Sequence, residues 1–221
     1  TTDDLQGPAG AQWARKLGFE SVYVVDDNDA YGIGIARLFE AEAHDLGLAV
    51  IGSKSIVNDV TDIDALAREI ASSSAALVYY GGITPNGGPE LLQALRTYAT
   101  TTQFMGPDGI FEQDFITRAG DASNGVYITA VGAPPEEFDS PGAALFLEKY
   151  EATYSSKPDV FGALAYEATK VTIDAIRRAR STERKMVLSE LRATRNYPGM
   201  FGVWSFDQNG DTTQTLMSGN I

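Results

Sequence analysis

A chain of 221 residues, 43% apolar and 21% charged, is long enough to bury a real core as one large domain or two small ones. Thirty acidic residues against seventeen Lys and Arg leave a net charge of −13, which argues against nucleic acid and anionic membranes as partners. With no cysteine, disulfides and thiolate metal sites are excluded. No apolar run reaches bilayer length, and the opening "TTDDLQGPAG" is neither basic nor apolar enough for a signal peptide.

In chain order, "FESVYVV" (19–25) predicts a first strand, being rich in β-branched and aromatic residues. "AYGIGIARLFEAEAHDLG" predicts a helix with Ile35, Leu38, Phe39 and Leu46 on one face and Gly47 as its stop. "LAVIGSKSI" (48–56) predicts the second strand. In "TDIDALAREIAS", Thr61 and Asp64 make a capping-box pattern. Ile63, Leu66, Ala67 and Ile70 then recur at helical spacing. "AALVYY" (75–80) predicts the third strand and "GPELLQALRTYA" the third helix. "TQFMG" (102–106) and "NGVYITAV" (124–131) predict strands four and five, with "GIFEQDFITRAG" helical between them.

This alternation implies an α/β fold, a doubly wound parallel sheet. In such sheets ligands bind beyond the carboxyl ends of the strands. "DDNDAYG", "GGITPNGG" and "GPDG" therefore share one rim, and Asp108 lies on it. Past residue 132 the rhythm changes. "GAPPEEFDSPG" predicts a linker, and three helices follow without a strand: "AALFLEKYEATYSS", "GALAYEATKVTIDAIRRAR" and "ERKMVLSELRAT". "GVWSF", the turn "DQNGD" and "TQTLMSGN" predict a terminal hairpin with a type I′-like turn at Asn209–Gly210. Three helices and a hairpin make a poor domain by themselves.

Catalytic signatures are sparse. The single histidine, His44, sits on a polar helix face away from the rim, so acid–base chemistry lacks its usual base. There is no G-x-S-x-G elbow and no P-loop. "YGIGIAR" carries Arg37 where a dinucleotide fingerprint needs its third glycine; Gly32 and Gly34 are read as easing the helix start against a neighbour. "VVDDND" lacks the partner acid a phosphate-accepting domain places after the third strand. "FDQNGD" lacks the ligand alternation of a calcium loop. No catalytic residue, metal site or cofactor is expected. A binding rim remains: Tyr31, Tyr79, Tyr80 and Phe161 as amphipathic or apolar contacts, Thr84 and Gln103 as hydrogen-bonding groups, and Asp108 as one negative charge. Tyr79 and Tyr80 are neighbours on a strand, one facing each side.

"DLQGP", "DDNDAYGIGIAR", "VYYGGITPNGG", "TQFMGPDG", "AGDASNGVYITA" and "FDQNGD", in this order from about Asp4 to the end, resemble the branched-chain amino acid-binding proteins of ABC transporters. These are type I periplasmic solute-binding proteins of the Leu/Ile/Val-binding kind. The resemblance implies two α/β lobes joined by three crossovers and closing on an amino acid, with roughly the first third of a typical member absent. Residues 1–132 would then be the second lobe and 133–142 a crossover. Residues 143–196 would be helices belonging mainly to the first lobe, and 197–221 a crossover and hairpin returning to the second.

It further implies that Asp108 grips the ligand's ammonium, where better-known members carry Glu. Tyr31 would lie near the cleft, Phe161 would flank the ligand side chain, and Ile83 stands where a tyrosine is usual. The partners implied are an amino acid and, for the full-length protein, an ABC permease. The location implied is periplasmic or extracellular, with a lipid anchor as one option. A ligand-sensing receptor or regulator of the same fold is the alternative, and an α/β enzyme a more distant one. A lone second lobe is expected to bind weakly or not at all. Leu164, Ala168, Val171 and Ala175 are expected to form an exposed stripe that drives a homodimer or a rearranged tail.

Overall fold

The computed structural model describes residues 2–57 and 61–221; Thr1, the first residue of the lobe expected over 1–132, lies outside them. The chain divides into two compact units, residues 2–131 with 217–221, and residues 132–216.

The first unit is a six-stranded sheet of β1 (Ser21–Asp26), β2 (Ala49–Ser55), β3 (Leu77–Gly81), β4 (Gln103–Gly106), β5 (Tyr127–Val131) and β8 (Met217–Asn220). Their order is β2-β1-β3-β4-β5-β8. The first five are mutually parallel, and β8 closes the edge antiparallel to β5. The predicted alternation is thus the observed one.

Helices cover both faces. Val22, Val24, Leu77, Tyr79 and Met105 pack against α1 (Asp3–Lys16) and α2 (Ala30–Asp45). Tyr23, Val25, Val78, Tyr80 and Phe104 pack against α3 (Ile63–Ser73), α4 (Gly88–Tyr98) and α5 (Gln113–Ala119). A strand buried on both sides needs no polar alternation, which is why β3 is apolar and aromatic throughout.

Helix α1 is absent from the sequence-based expectation, because Gly7, Pro8 and Gly10 argue against a helix. Tertiary packing overrides that propensity. A Cβ on Gly7 would stand 2.6 Å from Leu38 Cβ, so the glycine lets α1 lie directly on α2. On α3 the N-cap is Asp62, whose carboxylate accepts from Ala65 N–H at 2.9 Å. Thr61, expected to cap it, instead takes the Val57 N–H on its hydroxyl. Gly32 is hemmed in, its Cβ position 2.0 Å from Asp27 Oδ1, but Gly34 faces open space and eases no contact.

The second unit holds α6 (Pro141–Tyr154), α7 (Val160–Ala179), α8 (Arg184–Arg192) and a hairpin of β6 (Tyr197–Gly199) and β7 (Gly202–Trp204). The expected terminal hairpin is corrected here. "GVW" pairs backward with "YPG", while "MSGN" joins β5 in the main sheet. The "DQNGD" turn is spanned by the isolated bridge Phe206–Thr212 and by backbone bonds from Asp207 N–H to Asp211 O and from Thr213 N–H to Ser205 O, with no strand ladder. That turn is not type I′: Gly210 has φ +95° but Asn209 is not in the positive-φ region. The Asp207 carboxylate shapes it by accepting from the N–H groups of Asn209, Gly210 and Asp211.

Glu167 of α7 ties the hairpin down, taking the Trp204 indole N–H at 2.7 Å and the Met200 N–H. Of the stripe expected to be exposed on α7, Ala168 is exposed and Leu164 half-buried, but Val171 and Ala175 are not. Val171 packs with Tyr197 and Trp204, and Ala175 is buried. The large apolar residues left exposed on α7 are Phe161, Tyr166, Ile173 and Ile176. Among the described residues, no helix is long and apolar enough to cross a membrane.

Candidate ligand-binding site

The strand ends after β1, β3 and β4 carry the polar groups of the first unit. Helix α2 leaves β1 toward one face and α4 leaves β3 toward the other, so a crevice opens between those strand ends. Asp27 fills it. Its Oδ2 accepts from Ile83 N–H at 3.1 Å and Asn86 Nδ2 at 2.9 Å, and its Oδ1 from Asp29 N–H at 3.1 Å. With three donors on a side chain only 3% exposed, its acceptor capacity is spent inside the protein.

Asp108 follows β4 on a short 3₁₀ turn, Asp108–Ile110, after Pro107. It is half-buried, and its Oδ1 receives two hydrogen bonds at 3.0 Å each, from the Tyr31 hydroxyl and from Gln6 Nε2. Among the described residues, its Oδ2 receives none and no Lys or Arg pairs with it. Gly109 lets the loops close on this acid: a Cβ there would lie 2.5 Å from Gly82 O and 3.1 Å from Ile83 Cγ2 and Tyr31 Cε1.

The surroundings are negative. Burial, followed by the charge of Asp108, pushes the Tyr31 hydroxyl far above the ordinary phenol range, so it stays protonated and donates. Burial and then Asp108 and Asp3 do the same to Tyr79. Asp3, on the first turn of α1, has its carboxyl pKa raised by burial and then by Asp108 and Asp4. Asp3 likewise forms no ion pair among the described residues. Two carboxylates and a donor-bearing tyrosine without a paired cation suit a small cationic group. Among the described residues, no three His, Asp or Glu side chains converge as a metal ligand set.

The residues singled out from sequence divide as follows. Asp108 and Tyr31 meet directly, and Ile83 borders them through Gly109. Thr84 is fully buried, its hydroxyl unpartnered among the described residues and its carbonyl taken by Arg118. Tyr80 is corrected: it is a core residue on the α4 face, and its hydroxyl donates to the carbonyls of Ile83 and Asn86. Gln103 is corrected as well. It begins β4 beside Leu77, at the end of the sheet opposite the rim. Phe161 lies in the second unit, on the first turn of α7, 40% exposed.

Three contributors escaped the sequence reading: Gln6, Asp27 and Asp3. Gln6 had a signal, since the buried face of α1 is otherwise Gly7, Gly10, Ala11 and Ala14. A lone buried polar residue on a stripe of small ones needs a partner, but the stripe is visible only once α1 is accepted as a helix.

A doubly wound lobe with an acidic rim at its strand ends, where among the described residues no Lys or Arg pairs with Asp108, has the form of a small-ligand binding module. The chain matches the family model described as periplasmic binding protein over residues 1–218, and it belongs to that family. It is 29% identical over 211 residues to the leucine-, isoleucine-, valine-, threonine- and alanine-binding protein of Pseudomonas aeruginosa, covering 95% of this chain and 55% of that protein. It is 29% identical over 218 residues to the Leu/Ile/Val-binding protein BraC3 of Rhizobium johnstonii, covering 98% and 58%. Among solved structures, the leucine-binding protein LivK of Thermotoga maritima superposes with a TM-score of 0.89 at 30% identity, over 99% of this chain and 62% of that one. The chain thus spans little more than half the length of the curated relatives it matches.

Proposed function

We propose that this chain is part of an extracytoplasmic solute-binding protein that presents an amino acid, branched-chain or related, to an ABC permease. In this reading residues 2–131 belong to the second of two lobes. The helices between 141 and 192 pack mainly on a first lobe outside this sequence. Their exposed Leu145, Phe161, Tyr166, Ile173, Met186 and Leu188 support that assignment. The two lobes close on the ligand as a hinge, binding shifting an open–closed equilibrium. The protein works outside the cytoplasmic membrane, periplasmic or lipid-anchored, and turns nothing over.

The observation that carries the reading is Asp108. It is a half-buried carboxylate on the ligand rim, held through one oxygen, with the other unpartnered among the described residues. An α-ammonium is the group it fits, and Ile83, which borders Asp108 and Tyr31, is assigned to the ligand's side chain. Names of relatives that bind leucine, isoleucine and valine support the ligand class. The test is calorimetry of the full-length protein against L-leucine. Asp108→Asn is expected to weaken binding at least about 100-fold, since stripping one partner from a buried charge pair costs about 3–5 kcal/mol. The 221-residue chain alone, lacking the opposite lobe, is expected to bind weakly or not at all. Undiminished affinity in Asp108→Asn sinks the reading.

A further inference from the structure

We propose that Gln6 is a positioning residue: it fixes the direction in which the Asp108 carboxylate presents its free side to a cationic ligand. The inference rests on the amino-acid reading above and extends it to a residue on a different element. Gln6 is 1% exposed, near the start of α1, and its Nε2 donates to both Asp108 Oδ1 and the Thr129 carbonyl, each at 3.0 Å. Both acceptors lack hydrogens, so the amide can face them only with its NH₂ group, and chemistry fixes its orientation. One bond anchors Gln6 to β5, a strand paired on both sides. The other extends that anchor to the acid.

Tyr31 donates to the same oxygen, so turning the carboxylate breaks two charge-assisted bonds at once. Oδ2, which has no donor among the described residues, is thereby left as the acceptor available to a ligand. A methionine of the same length would fill the space beside Gly7 and Gly10 without burying an amide. The amide has a use only because two acceptors need one shared donor group. Holding a binding group in its bound orientation before the ligand arrives lowers the ordering cost of binding.

The experiment is a double-mutant cycle on the full-length protein carrying this segment, read as L-leucine affinity by calorimetry, with NMR titration for the weak variants. Gln6→Met keeps the side-chain length and removes both donors. It is expected to weaken leucine binding about tenfold when Asp108 is present, and less than about twofold in an Asp108→Asn background. Equal losses in both backgrounds, or no loss in either, overturn the inference, because Gln6 would then only hold α1 against β5. If Gln6→Met does not fold, Gln6→Asn runs the same cycle and is decided by the same comparison of losses, since it keeps the amide but loses its reach. Wild-type protein that binds no leucine overturns the amino-acid reading itself, whereas wild-type binding with additive losses overturns the role of Gln6 alone.

Discussion

Asp27 offers the sharpest test of how the rim is built, because its two oxygens serve different loops. Oδ2 holds the loop after β3 through Ile83 N–H and Asn86 Nδ2, and Oδ1 holds the start of α2 through Asp29 N–H. Asp27→Asn keeps one oxygen and replaces the other with a donor. The lower-cost orientation leaves the oxygen on the β3 loop, where it satisfies two donors, and turns NH₂ toward the Asp29 N–H. One bond to a charged acceptor is then lost, about 1.5–3 kcal/mol. Asp27→Ala takes the acceptor from the Ile83 and Asp29 N–H groups and leaves Asn86 Nδ2 only Asp29 Oδ2, at 3.2 Å, so the loss rises to about 3 kcal/mol or more. That is a large part of the 5–15 kcal/mol typical of a domain. Urea unfolding followed by Trp13 fluorescence, with Trp204→Phe in every chain so that only the sheet unit reports, gives the two energies. Amide hydrogen exchange gives the pattern: in Asp27→Asn, Asp29 should lose protection while Ile83 keeps it, and in Asp27→Ala both should lose it. A cost below about 1 kcal/mol for Asp27→Ala, or an Asp29 amide still protected in Asp27→Asn, refutes the assignment of one oxygen to each loop.

Gly109→Ala would force a methyl group to within 2.5 Å of Gly82 O, so the "GPDG" and "GGIT" loops must part. A loss of about 1–3 kcal/mol in stability is expected by thermal unfolding, together with weaker leucine binding in the full-length protein. Asp3 has a raised carboxyl pKa in the folded chain, so at neutral pH its charge opposes folding, and the opposition is relieved as pH falls through that raised value. Asp3→Asn should therefore melt slightly above wild type at pH 7. The gap should close on acidification and shrink with added salt, because the residue is exposed and screened; a gap that widens toward acid contradicts the electrostatic cause.

The five parallel strands and four of the helices around them were legible because short aromatic and β-branched runs alternate with helical spacing. What was not legible has physical causes. Helix α1 hides behind Gly7, Pro8 and Gly10, whose value lies in close packing on α2 and not in local propensity. Strand β8, "MSGN", falls within a stretch the sequence reads as a hairpin arm, but its partner is not legible: β5 offers an unpaired edge far away in sequence, and the chain end pairs with it. Tyr80 was placed at the rim because β3 is buried on both faces, so alternation, which usually says which side a residue takes, has nothing polar to register against. Asp108 and Tyr31 could be placed because strand ends in a doubly wound sheet define the rim before any side chain is seen.

Residue type and position do not separate the two acids at the strand ends; the hydrogen-bond accounting does. Asp27 follows β1 and Asp108 follows β4, both at the carboxyl edge and both lacking a paired Lys or Arg among the described residues. Asp27 spends both oxygens on three protein donors, which is what a carboxylate does when its task is to bind two loops together. Asp108 is held by two donors on one oxygen, and its neighbours add a second carboxylate where a structural site would add a cation. Among the described residues its other oxygen has no donor and lies near a second carboxylate, so the acid is not spent on holding the fold together. An open acceptor of that kind, set on the ligand rim with its carboxylate held by Gln6 and Tyr31, is what a site built to receive a cation carries.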